Sequence, residues 1–187
     1  MWCSSRWRAE PLLLCLALAC GASAGATPGA ASPAQLPGSR LQGEATLRFI
    51  GLRIYHARLW TAPDFRAAHG LDQPLLLELE YLRDLDGRAI AERSLKEMQR
   101  EGGFSEAQGR QWLAQMQRLF PNVRAGDRIS GLNSPGQGVS FWHNGQPLGQ
   151  IDDADFARRF FGIWLAPSTS EPAMRLVLLG QGAPGPR

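Results

Sequence analysis

Cysteine is confined to the start of this chain: Cys3, Cys15 and Cys20 are the only three. The body therefore offers no thiol nucleophile, no zinc–thiolate site and no disulfide, so its fold rests on a hydrophobic core. Histidine is nearly as scarce. His56, His69 and His143 form no His-x-x-x-His pair, and no metal site is expected. There is no Gly-x-Ser-x-Gly elbow, no phosphate loop and no dinucleotide fingerprint, which removes the common nucleotide-dependent chemistries and leaves no cofactor to expect. No apolar run approaches the roughly 20 residues of a spanning helix, so no integral membrane span is expected. Lys96 is the one lysine beside 19 arginines, yet the arginines of the body are spread from Arg40 to Arg175 among acidic residues, and the formal net charge is only +3. That dispersion argues against a nucleic-acid partner. What remains, 44% hydrophobic and 20% charged residues in 187, is the composition of a globular protein.

The N-terminus reads as an export signal. Arg6 and Arg8 precede the apolar stretch from Pro11 to Ala19, and Ala22-Ser23-Ala24 supplies the small residues of a cleavage site. Residues 1–24 are thus expected to be a signal peptide, and the protein to be periplasmic or secreted. Leu16-Ala17-Leu18-Ala19-Cys20 also resembles a lipobox, the alternative being a lipid anchor at Cys20. Residues 25–40, mostly Ala, Gly, Pro and Ser, read as a flexible linker. One domain is expected over 41–180, followed by a disordered tail at 181–187. A body of this size removes roughly 70% of its surface from water on folding, enough to stand without staples.

Within the domain, Ala45–Ile50 and Leu52–Thr61 alternate around Gly51 as two strands. In Pro74–Leu82, Leu77, Leu79 and Tyr81 share one face while Glu78 and Glu80 share the other, a sheet with one wet side. Gly87–Arg100 reads as a helix. Ser105–Phe120 is a second, with Ser105 and Gln108 as a capping box and Pro121 as its stop. Asp127–Leu132, Gly138–His143 and Gln146–Ile151 read as strands, the last two joined by Asn144-Gly145 as a type I′ turn. Asp153 caps a helix carrying Phe156, Phe160, Ile163 and Trp164 inward, with Arg158 and Arg159 turned outward. A short helix, Glu171–Leu179, closes at Gly180. Strands, two helices, strands, two helices predict an α+β domain with helices over one face of a mainly antiparallel sheet. Asp152, Asp153 and Asp155 fit a helix N-terminus better than a calcium loop, which would need a Gly and a distal Glu.

Arg48 stands out inside the first strand. Alternation puts it on the solvent side with Thr46, opposite Leu47 and Phe49. If helices covered that face, its guanidinium would need an anionic partner, internal or bound. Tyr55 in the next strand offers a phenolic hydrogen bond to the same group.

Tyr81-Leu82-Arg83-Asp84, Pro121–Asp127, Phe141–Gly149 and Phe160–Leu165, in this order and spacing, resemble the exported bacterial chalcone-isomerase-like proteins. The resemblance implies an open-faced β-sandwich, a curved antiparallel sheet covered on one face by helices, with a ligand cleft between the layers. It also implies that Arg48, in Leu41-x-Gly43-x4-Arg48, faces a bound anion, with Tyr55 beside it as in fatty-acid-binding relatives. The enzymes of the family organise a water with a Tyr and an Asn that should fall between Arg83 and Arg118, where this chain has neither, and Asp153 stands roughly where they carry Thr or Ser. The implied function is a non-catalytic binder of a small hydrophobic anion, fatty-acid-like, as partner. Ring closure of a chalcone to a flavanone, an isomerase with intramolecular lyase activity, is the alternative. An envelope scaffold with an empty cleft, its Arg48 held by Glu78, Glu80, Asp84 or Glu92, is the second.

Overall fold

The computed structural model describes residues 33–182. The expected signal peptide with Cys20, residues 25–32 of the expected linker and residues 183–187 of the expected tail lie outside the described residues. Six strands form one sheet: β1 (Arg40–Phe49), β2 (Leu52–Thr61), β3 (Leu75–Tyr81), β4 (Arg128–Ser134), β5 (Gly138–His143) and β6 (Gln146–Ile151). Their spatial order equals their sequence order, and every pairing is antiparallel. Helices α1 (Gly87–Met98) and α2 (Glu106–Leu119) interrupt the strands between β3 and β4, while α3 (Ala154–Leu165) and α4 (Pro172–Leu178) follow β6. The domain is α+β, an open sheet covered on one face by helices.

Period-two alternation decides which residues face the helices. Leu77, Leu79 and Tyr81 of β3 join Ile129, Phe141, Trp112, Phe156 and Phe161 in the core. Glu78 and Glu80 face the other way and hold Arg58, at 3.1 and 2.9 Å, while Glu80 also takes Arg128 at 2.9 Å. Burial alone would push the Glu80 carboxyl up; the hydrogen bond from Arg58 and the charges of Arg128 and Arg58 outweigh it and hold it below the usual carboxylate range. Phe160 of α3 sits at the centre of the aromatic core, 5.3–6.2 Å from the rings of Phe120, Phe141, Phe156, Phe161 and Trp164, including a 5.3 Å edge-on pair with Phe141 and a 6.2 Å tilted pair with Phe120.

The local devices follow the sequence closely. Ser105 accepts from the Gln108 N–H at α2, and Asp153 accepts from the Phe156 N–H at α3. Asn144 (φ 50°) and Gly145 (φ 81°) make the β5–β6 turn in the left-handed region it requires. Gly43 of β1 lies where α4 crosses, and a Cβ there would collide with the Val177 carbonyl oxygen, so only glycine admits this approach.

Two expectations are corrected, and one element was not foreseen. Arg159 is not turned outward: it is buried, its Nε donating to Asp155 at 3.0 Å and its Nη1 to the Gly102 carbonyl at 2.6 Å. This satisfied guanidinium ties α3 to the turn before α2, whereas Arg158 stays half-exposed on Asp155 and Glu101. The chain ahead of the domain is structured from Pro33, with the Leu36 N–H bonded to the Pro33 carbonyl and Ser39 buried, because β1 begins at Arg40. A short 3₁₀ segment, Ala67–Asp72, precedes β3 where the sequence showed no helical pattern.

Candidate functional site

Between the helix-covered face of the sheet and helices α1 and α3 lies a cavity of about 310 Å³. Its floor comes from the sheet: Leu47, Phe49, Tyr55, Leu79, Tyr81 and Ile129. Its roof comes from α1, through Ile90, Arg93, Ser94 and Glu97, and from α3, through Phe160 and Trp164. Ser170 and Glu171, at the start of α4, complete the wall. The surface is mainly aliphatic and aromatic, with a few polar groups set into it, as in small-molecule sites generally.

Those polar groups are specific. The Tyr55 hydroxyl accepts the Trp164 indole N–H at 2.9 Å, which leaves its own proton free to donate. Tyr81 pairs with Tyr55 across β2 and β3, their rings edge-on at 6.0 Å, and its hydroxyl has no hydrogen-bond partner among the described residues. Burial pushes both phenols well above the ordinary tyrosine value, in Tyr55 against the opposing pull of the Trp164 bond. Both are therefore neutral donors at physiological pH. Arg93 stands at the mouth, its side chain 57% exposed, with Nη2 2.8 Å from Glu97 and the guanidinium carbon 5.9 Å from the Phe49 ring centroid. Glu97 is itself buried and has a second partner, Arg100, at 2.8 Å on its other oxygen.

Tyr55 lines the cavity; Arg48 does not. Leu47 and Phe49 face the cavity, so alternation turns Arg48 to the opposite, solvent side, where it is exposed, and the register shift between Leu47 and Arg48 leaves it there. The expectation of a guanidinium facing the ligand from Arg48 is thus corrected: the cation at the cavity is Arg93, on α1. Glu78 and Glu80 hold Arg58, and no carboxylate pairs with Arg48 among the described residues. Sequence reading also missed Tyr81 and Glu97. Tyr81 read as one more core residue on the Leu77 and Leu79 face, and Ile90, Arg93, Ser94 and Glu97, one stripe at helical spacing, are too polar to be told from a solvated helix face.

A second concavity, about 450 Å³, lies on the other side of the sheet near Glu78, Arg128, Ser130 and Asn144. It is open, and its polar walls are paired with neighbours, Arg128 with Glu80 and Asn144 with Asp127 at 2.9 Å each. The apolar cavity is the better candidate because it hides hydrophobic surface and keeps donors unspent. It is suited to an amphipathic molecule, with apolar walls for its body and phenol donors for its polar end. The tyrosines are held protonated, and both oxygens of Glu97 are engaged by arginines.

Comparison with known proteins agrees with this architecture. An uncharacterized protein of Haemophilus influenzae is 30% identical over 110 residues, 59% of this chain and 54% of that protein, so the chain spans about half the length of that curated relative. The crystal structure of an Arabidopsis thaliana fatty-acid binding protein superposes with a TM-score of 0.60 at 13% identity, covering 78% of this chain and 88% of that one, a likeness of fold. The sequence matches the family described as chalcone isomerase-like across residues 36–180, from the turn ahead of β1 to the glycine that ends α4. With that match spanning every strand and helix of the domain, the chain belongs to the chalcone isomerase-like family.

Proposed function

We propose that this protein is a non-catalytic binder of a small hydrophobic anion of the fatty-acid class, working in the periplasm or outside the cell. The acyl chain occupies the cavity between sheet and helices, and the carboxylate meets Arg93 and the hydroxyls of Tyr55 and Tyr81. The observation that carries this reading is the cavity itself, apolar throughout its floor yet equipped with two neutral phenol donors and a cation at its mouth. Arg93 is free to serve because Glu97 keeps Arg100 when Arg93 turns to the ligand. A charge-assisted hydrogen bond of that kind contributes about 1.5–3 kcal/mol. The family's fold supports the reading, since the Arabidopsis neighbour is a fatty-acid binding protein. At about 310 Å³ the cavity is at the lower end of the ligand-site range, room for one slender ligand. The scaffold alternative, an empty cleft with Arg48 held by Glu78, Glu80, Asp84 or Glu92, is less favoured because no such ion pair forms on Arg48 among the described residues.

The test is displacement of a fluorescent fatty acid from the purified protein, with lipid extraction and mass spectrometry alongside. Arg93→Ala is expected to weaken binding about tenfold or more, and Arg48→Ala to leave it unchanged. A protein that carries no lipid and binds no added fatty acid overturns the reading. Chalcone absorbance is expected to decay at the buffer rate, and acceleration would restore the isomerase alternative.

A further inference from the structure

The described exposed large apolar side chains are Phe49, Ile50, Leu52 and Leu176, and three of these four sit in one turn, between β1 and β2. Ile50 is 84% exposed, Phe49 54% and Leu52 52%. Scattered apolar residues need no explanation, but a cluster at the tip of a hairpin does. The backbone there makes the question sharper. Ile50 has φ 49° and Gly51 φ 75°, the same turn geometry as Asn144 and Gly145 at the β5–β6 turn. Asparagine tolerates that region and a β-branched side chain does not. The chain therefore places a strained, greasy residue in solvent at a position where its own second hairpin uses a polar one. Neither packing nor turn chemistry accounts for it.

Cations flank the tip. Arg48 and Arg53 are cross-strand partners at the base of the turn, both exposed, Arg53 hydrogen-bonded to His56 at 2.9 Å and neither forming an ion pair among the described residues. On the other, helix-covered face of the sheet, Arg93 lies over the Phe49 ring. The tip is also the rim of the cavity, because Leu47, Phe49 and Ile54 line it.

We propose that the Phe49–Leu52 turn docks on the surface of an anionic phospholipid bilayer, with Phe49, Ile50 and Leu52 entering the headgroup–acyl boundary and Arg48 and Arg53 meeting lipid phosphates. An apolar wedge with a basic collar is the combination such surfaces bind. A narrow convex tip offers little to a second copy of the chain, since a stable interface needs about 800 Å² from each partner. Docking brings the cavity mouth to the lipid, and it holds whether or not the cavity takes a fatty acid.

Hydrogen exchange of the full chain tests this residue by residue, with no fatty acid present. Vesicles of phosphatidylglycerol and phosphatidylcholine are expected to slow exchange across residues 49–53 by roughly tenfold, while the Asn144-Gly145 turn is unaffected. Pure phosphatidylcholine gives less protection, as does Arg48→Gln with Arg53→Gln. Ile50→Asn copies the Asn-Gly turn found elsewhere in the molecule, so it keeps the fold and is expected to abolish most of the protection. Equal exchange with and without anionic vesicles overturns the proposal, as does full protection in Ile50→Asn. Protection that rises with protein concentration in the absence of vesicles overturns it in favour of a dimer.

Discussion

Trp164 donates its indole N–H to the Tyr55 hydroxyl inside the cavity wall, so the phenol orients a neighbour as well as facing the ligand space. Tyr55→Phe removes the acceptor and leaves a buried donor unpaired. Thermal or denaturant unfolding is expected to show a loss of about 1–3 kcal/mol. Fatty-acid affinity should fall in the same variant, since one of the two free phenol protons disappears. Residue-level function was the least legible part of the sequence. Tyr55 was found through the resemblance to fatty-acid-binding relatives, and its pairing with Leu47 turns it to the cavity. Arg48 drew attention as a cation in an apolar strand, yet the same alternation sends it outward, and the cavity's cation came instead from α1. A helix stripe holding Arg93, Ser94 and Glu97 looks like solvated surface until the sheet is known to approach it.

Asp153 joins two helices through one carboxylate: Oδ1 caps α3 at the Phe156 N–H, at 2.9 Å, and Oδ2 accepts the Trp112 indole of α2 at 2.8 Å. Asp153→Ala therefore loses a cap and strands a buried indole N–H. The two together are expected to lower stability by about 2–4 kcal/mol, read from the denaturant midpoint at unchanged slope. Gly43→Ala forces α4 away from β1, and a loss of about 1–3 kcal/mol is expected from the overpacking. Elements themselves were legible. Caps at Ser105 and Asp153, the Asn144-Gly145 turn and the alternation of Leu77, Leu79 and Tyr81 are local signals, and local signals survive without knowledge of the fold. The 3₁₀ segment at Ala67–Asp72 carries no such signal, and the burial of Arg159 depends on backbone carbonyls 57 and 56 residues away in sequence.

Acid is expected to loosen the whole molecule before any ligand chemistry changes. Glu80 and Asp155 are each opposed by burial and held down by arginines, Arg58 and Arg128 for one, Arg158 and Arg159 for the other. A carboxyl whose folded value lies below its unfolded value stabilises fully above the unfolded one and loses that contribution as pH falls through the folded one. Their ordinary values are 4.5 and 3.8, so melting temperatures should be flat near neutrality and decline progressively below about pH 4.5. A melting temperature that stays constant down to pH 3 would contradict the role of both networks. Architecture at this scale was legible as a segregated order of strands and helices, and the position of the cavity was not, because it arises where α1 and α3 fail to fill the space above Tyr55 and Tyr81.

The strand order that mirrors the chain order also governs how the protein gets to its native state. Four of the five strand pairings join strands with no α-helix between them, and only the pairing of β3 with β4 waits for a distant segment, since two helices intervene between Tyr81 and Arg128. Loop-closure entropy grows slowly with length but falls due before the contacts that reward it. Refolding from denaturant therefore reports chiefly on one closure, and substitutions where α1 meets α2 should change the folding rate more than those in the β5–β6 hairpin.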